Sequence, residues 1–312
     1  MKHRICGILL AVSLLGWMLG GCAAQGDAGP SGALPQGSAQ SGGYQAPPMA
    51  QASFDPEAAR GEGACLIDAS HAAQGYVAAS AQSEKRLKFQ IKHSGGGLDY
   101  AYDLPGDGTP IVCPLQSGDG EYRLRIMEQV SDGKYVEIYA RTEQVRLEDE
   151  FQPYLRPSCY VDYSADSASV ELAAELAVSA ADSAGVVAAV YDYVVDTIRY
   201  DQAKAESVGT GYLSDPDATL DSGKGICVDY AVLVAAMLRS QGIPTKVITG
   251  YVAPNDLYHA WNMVWLEEEG WITVELKVDP ENWNRVDATF VAGGAGSEFV
   301  GDGSNYRDYR TY

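Results

Sequence analysis

"GKGICVDYAVLVAAML", Gly223 to Leu238, sets a cysteine behind two glycines at the start of an apolar run. Val228, Ala231, Val232, Ala235 and Leu238 recur at helical spacing, so the run predicts a buried helix from Cys227 to about Ser240. "QGIP" ends it, with Gly242 as left-handed cap and Pro244 forbidding continuation. A helix N-terminus presents unpaired N–H groups and the positive end of the helix dipole, which favour a thiolate. Glycines ahead of it allow a sharp turn and close approach. The placement suits thiol catalysis, provided a base exists elsewhere.

Elimination finds one. Of the four histidines, His3 falls in an N-terminal apolar segment, and His71 and His93 fall in a strand-rich region without a second residue at metal-ligand spacing. His259 is left, opening the run "HAWNMVWL". At a strand start beside the helix N-terminus it could form the thiolate–imidazolium pair of cysteine enzymes. A third partner, an acid that orients the imidazole, is expected at Asp287 in "WNRVDATF", with Asp279 in the turn-like "VDPEN" as its competitor.

Working outward, the segment before the cysteine reads as two helices, one capped at Ser167 with Val170, Leu172, Ala173 and Leu176 as its face, one from Ser183 carrying Val187, Val190, Val194 and Ile198. "DPDATLDSG" between them and Cys227 reads as a solvated loop, because Leu220 stands where a calcium loop needs glycine. Beyond the helix, "TKVITGYV", "HAWNMVWLEEEGWITVELKV" and "NWNRVDATFV" read as strands, and the tail "NYRDYRTY" as packing or an edge strand. From Ala64 to Tyr163 short alternating runs such as "RLKFQIKHS" are divided by Gly-Gly-Gly, Gly-Asp-Gly and Asp-Gly turns, the pattern of an antiparallel β-sandwich. The fold class is α+β: an N-terminal sandwich, then helices packed on an antiparallel sheet.

The chain has 312 residues and a formal charge of −20, which disfavours nucleic acid as a partner. Its first residues give a basic start and the apolar run "ICGILLAVSLLGWML", too short for a comfortable membrane span. Composition then collapses to Ala, Gly, Ser, Gln and Pro as far as about Gln51, which predicts a flexible tether. About 30 such residues reach roughly 30 Å. The expected organisation is a signal over 1–21, a tether over 22–55, the sandwich over 56–163 and a catalytic domain over 164–312. Pairing all four of Cys65, Cys113, Cys159 and Cys227 would consume Cys227, so either one bridge forms among the first three or none does; buried free thiols are the favoured reading.

The ordered motifs "GKGICVDY", "HAWNMVWL" and "WNRVDAT" resemble the transglutaminase-like domain, a papain-related cysteine fold, over about residues 165–292. The resemblance implies Cys227 as nucleophile, His259 as base and Asp287 as orienting acid, with neither metal nor cofactor. Features differ from the wider family: between His259 and Asp287 the chain is longer than the family's usual two-strand step, which reads as an extended hairpin spanning Trp271 to Trp283. No tryptophan lies between Trp17 and Trp261, and no glutamine shortly precedes Cys227. The Cys227 N–H and a side chain, Tyr200 or Tyr212, are the expected oxyanion donors. "LGGC", Leu19 to Cys22, resembles the lipobox of bacterial lipoproteins, which implies lipidation at Cys22 and a protein held extracytoplasmically at the membrane. The expected activity is thioester-mediated acyl transfer from peptide or protein amides, hydrolysis ahead of crosslinking. The competing expectation is a catalytically silent binding lipoprotein that uses the sandwich.

Overall fold

Strand periodicity governs the first half of the molecule, as seen in a computed structural model that describes residues 43–252, 257–278, 286–291 and 306–312. Cys22, Asp279 and the apolar N-terminal run lie outside these residues. Eight strands come first: β1 Arg60–Glu62, β2 Cys65–Asp68, β3 Tyr76–Ser80, β4 Leu87–His93, β5 Tyr100–Leu104, β6 Ile111–Pro114, β7 Gly120–Ser131 and β8 Lys134–Val145. They form two antiparallel sheets, ordered β1-β2-β3-β6 and β5-β4-β7-β8. Along β4, Leu87, Phe89 and Ile91 are buried while Lys88 and Gln90 are not, and on β7 Tyr122, Leu124 and Ile126 alternate with charged neighbours. These side chains meet Ile67, Val77, Ala79 and Cys113 of the other sheet in one core. Each large apolar side chain so enclosed contributes about 1.5–3 kcal/mol.

The second half contains α1 Ala168–Ala177, α2 Ser183–Thr197, β9 Arg199–Tyr200, α3 Gln202–Ser207, α4 Pro216–Ser222, β10 Lys224–Gly225 and α5 Cys227–Ser240. Strands β11 Thr245–Val252, β12 Leu257–Leu266, β13 Gly270–Val278, β14 Val286–Val291 and β15 Tyr306–Thr311 follow. These last five make an antiparallel sheet ordered β14-β13-β12-β11-β15, so the Tyr-rich tail is an edge strand, as its sequence predicts. Helix α5 is buried nearly all round, between this sheet and α1 and α2. Asn262 of β12 locks it in place, donating to the Ala231 carbonyl at 2.9 Å and accepting from the Tyr191 hydroxyl at 3.0 Å.

Three local features differ from the sequence reading. Residues 43–50, within the stretch of tether-like composition, lie against the helical half. The Tyr44 N–H donates to Ala180 O at 2.7 Å and its hydroxyl to Gln241 O at 2.6 Å. Pro47 sits where a Cβ on Gly242 (φ +77°) would collide with it, and Met49 packs against the apolar cluster to which Val232 and Ala235 belong. Tyr44, Pro47 and Met49 are the apolar side chains that window-averaged composition hides. "DPDATLDS" is not a loop but α4, started by Asp215, whose carboxylate accepts from Asp217 and Ala218 N–H, and by Pro216 in the first turn.

Helix α1 begins at Ser167 as expected, yet Ser167 makes no side-chain cap. Asp217 supplies it from α4, accepting from the Ala168 and Ser169 N–H groups at 2.9 Å each. Burial works against its charge, but these N–H donors hold the Asp217 carboxyl below the ordinary carboxylate range. Because the folded-state value is depressed, the stabilisation is present above the unfolded pKa and is lost as pH falls through the lowered one. Asp217→Ala is expected to cost about 1–2 kcal/mol at pH 7, with the gap to the parent closing in acid; urea titrations at both pH values measure it.

The two halves are joined by buried polar contacts around Arg239. Its guanidinium donates to the carbonyls of Thr245, Arg156 and Tyr312, at 2.8, 3.2 and 3.0 Å. Burial lowers its pKa to about 10, so it keeps its charge at neutral pH. Tyr312 also stacks on Tyr160, ring centroids 3.6 Å apart, and meets Tyr100 and Tyr102 of β5 edge-on.

Candidate active site

The start of α5 is built by backbone. Gly223, at φ +60°, caps α4, and β10 then pairs in parallel with β9, the Asp201 N–H reaching Gly225 O at 2.9 Å. That pairing brings Tyr200 alongside Ile226 and Cys227. A Cβ at Gly225 would fall 2.7 Å from the Asp229 Cβ, which explains glycine at this step. Ile226 occupies the N-cap position with no polar side chain, so the cap comes from Asp229, whose carboxylate accepts from the Ile226 N–H at 2.8 Å.

Asp229 is fully buried. Besides Ile226 it holds Lys204, Nζ to Oδ2 2.7 Å, and accepts from the Tyr212 hydroxyl at 2.7 Å; Lys204 also donates to that hydroxyl at 2.7 Å. A carboxylate enclosed in this way tolerates burial because cation, phenol and backbone N–H occupy its lone pairs. The arrangement ties α3, the 208–212 loop and the first turn of α5 together, immediately beneath Cys227.

Cys227 and His259 open on the same cavity of about 630 Å³. Both are half-buried. Cys227 enters from the first turn of α5 and His259 from β12, where it pairs with Gly250 of β11. Five tyrosines complete the walls: Tyr160, Tyr200, Tyr212, Tyr258 and Tyr312, with Val208 to Gly211 forming one rim. The other described histidines are accounted for elsewhere, His71 stacked on Tyr76 and His93 packed edge-on against Tyr122.

Of the two tyrosines considered as oxyanion donors, Tyr212 has its hydroxyl bound to Asp229 and Lys204. The Tyr200 phenol is pushed up to about 12 by burial first and then by the neighbouring Cys227 and Asp229, which keeps it protonated, as a donor must be.

Asp287 lies on β14, paired with Lys277 of β13. Strand β13 therefore stands between it and β12, the strand of His259. Two strand spacings amount to about 9–10 Å from backbone to backbone. The strand hydrogen-bonded directly to β12 carries a different acid, Glu275, one residue past the Asn262–Val274 pair. Sequence reading passed Glu275 over by treating residues 271–283 as one extended hairpin and looking for aspartate. The Asp229–Lys204–Tyr212 cluster and the tyrosine walls were also missed.

Residues 170–276 match the family model described as the Transglutaminase-like superfamily. The matched stretch takes in Cys227, His259 and Glu275 and ends short of Asp287. Among curated relatives, the chain is 33% identical over 107 residues to a protein-glutamine gamma-glutamyltransferase of Pseudomonas aeruginosa, covering 30% of this chain and 16% of that protein. It is 30% identical over 88 residues to an uncharacterised protein of Mycobacterium tuberculosis, covering 25% of this chain and 28% of that protein. The chain thus spans less than a third of the length of these relatives. Among solved structures, a candidate cysteine protease from Cytophaga hutchinsonii is 16% identical with a TM-score of 0.37, covering 75% of this chain and 80% of that one. Red sea bream transglutaminase is 14% identical with a TM-score of 0.29, covering 64% of this chain and 48% of that one.

Proposed function

We propose, from the transglutaminase-like match over residues 170–276, that the chain is a cysteine acyl-transfer enzyme acting on peptide or protein amides. The observation that carries this reading is the opening of Cys227, at the first turn of a helix, and His259 on one cavity. The Cys227 thiolate attacks the amide carbonyl, and the oxygen takes its negative charge against the Cys227 N–H and a phenol of the cavity, Tyr200 or Tyr212. The His259 imidazolium gives its proton to the departing amine or ammonia, leaving a thioester on Cys227. His259 then takes a proton from water as it attacks, the acid is released and the thiol is restored. With an amine in place of water the same thioester yields a crosslink.

Hydrolysis is the favoured outcome. No tryptophan stands between Trp17 and Trp261, the region where animal transglutaminases carry the tryptophan that stabilises the oxyanion. The imidazole is oriented by an acid on the sheet; Glu275, on the strand next to that of His259, is favoured over Asp287, one strand further away. Cavity walls of phenols and loop backbone suit an uncharged stretch of polypeptide, whose amides can bond to the rim and whose side chains can lie on the rings. "LGGC" at Leu19–Cys22 supports lipidation at Cys22 and work at the outer face of a membrane, on a cell-surface substrate.

Glutamine-containing peptides incubated with the full chain, with and without a primary amine, test the reading by mass spectrometry. Expected products are the one-dalton gain of deamidation or the fragments of cleavage, in excess over amine adducts and abolished by Cys227→Ala. If no peptide is altered by the parent chain under any acceptor condition, the domain is a scaffold and the binding-protein alternative replaces the enzyme.

A further inference from the structure

Away from the cavity, two thiols stand together. Cys113 of β6 and Cys159 of the connection between the halves have their sulfurs 3.6 Å apart. Cys113 is wholly enclosed in the sandwich core, while Cys159 is partly exposed. Their backbones are already paired, because the Cys159 N–H donates to the Val112 carbonyl at 2.8 Å. That bond fixes the segment carrying Cys159 beside the strand carrying Cys113, so the closeness of the two sulfurs is held by backbone. Bringing the sulfurs to bonding distance takes about 1.5 Å of motion, within the reach of side-chain rotation.

We propose that Cys113 and Cys159 are a built cross-linking site, which a small-molecule disulfide converts to an intramolecular bridge between the sandwich and the connection to the helical half. The partly exposed Cys159 reacts first. Its thiolate attacks the oxidant RSSR, forming a mixed disulfide and releasing one RS⁻, which takes up the Cys159 proton. The Cys113 thiol then loses its proton and attacks the Cys159 sulfur, expelling the second RS⁻. Two protein thiols and one RSSR give one protein disulfide and two RSH. Burial, and then the neighbouring Cys159, push the Cys113 thiol up, so the second step is the slow one and quickens with rising pH.

The bridge closes a loop across a sequence separation of 46 residues. It also pins the residue before Tyr160, which lines the cavity and stacks on Tyr312. Cys227 takes no part, so the site stands or falls independently of the proposed activity.

The test exposes the reduced full chain to excess oxidised glutathione, quenches in acid, alkylates the remaining thiols under denaturing conditions and maps peptides without reduction. Expected is a linked Cys113–Cys159 peptide pair and a melting midpoint raised by roughly 5–10 °C, the gain vanishing on reduction and in Cys159→Ser. The proposal is overturned if both residues are recovered alkylated, if Cys159 remains capped by glutathione, or if the bridge joins any other pair. Cys159→Ser changes the half-exposed partner, so the buried core keeps its shape and the comparison does not depend on a misfolded variant.

Discussion

Turnover of an amide substrate is expected to fall roughly 10⁴-fold or more in Cys227→Ala and His259→Ala, and by a similar factor when both are changed, because the two residues act as a unit. The acid separates two geometries. If the carboxylate beside the imidazole is Glu275, Glu275→Gln loses about 10²–10⁴-fold in kcat while Asp287→Asn stays within about threefold of the parent. The adjacent-strand position of Glu275 and the strand interposed before Asp287 set this order. The reverse ranking would mean that the acid reaches the imidazole across β13. Steady-state kinetics on the four single variants, with folding checked by circular dichroism, decide it.

The second large effect concerns stability. Asp229→Ala is expected to cost about 2–4 kcal/mol, because it leaves the buried Ile226 N–H without its acceptor and the partly exposed Lys204 and Tyr212 without the carboxylate they share. Asp229→Asn keeps the shape and part of the hydrogen bonding, and is expected to lose about 1–3 kcal/mol. Lys204→Met strands the fully buried Asp229 charge and should approach the alanine result. Denaturant titrations measure all three. A loss under 1 kcal/mol in Asp229→Ala would show that water replaces the network at no great cost. The damage should extend to reactivity, since the same carboxylate caps the helix turn that presents Cys227.

Much of this architecture is legible in local pattern. The apolar spacing and the Gly242–Pro244 stop delimit α5 at Cys227–Ser240, and "TKVITGYV" coincides with β11 at Thr245–Val252. Here propensity, periodicity and turn chemistry agree, which is the condition under which sequence reading works. The shared opening of Cys227 and His259 was also legible, through residue type and order. What escaped depends on contacts between distant segments. Asp229 looks like an exposed helix residue until Lys204 and Tyr212 are folded over it. Asp217 caps a helix some 48 positions away, a service no window could reveal. The choice among acids depends on strand order, and "VELKVDPENWNRVDAT" reads the same whichever strand lies beside β12. Tyr44, Pro47 and Met49 are sparse in a polar tract, so only the packed surface shows that they are anchors.

The central claim is that Cys227 is a nucleophile activated by His259, and the pH dependence of iodoacetamide alkylation tests it most directly. The full chain and its His259→Ala variant are labelled from pH 5 to 9 and the adducts mapped by mass spectrometry, with Cys65 as the internal reference, its thiol raised by burial. A thiolate–imidazolium pair predicts rapid modification of Cys227 near pH 6, lost in the variant, while Cys65 reacts slowly throughout. Cys227 labelling no faster than Cys65, or unchanged by His259→Ala, would contradict the claim and leave the cavity without a catalyst.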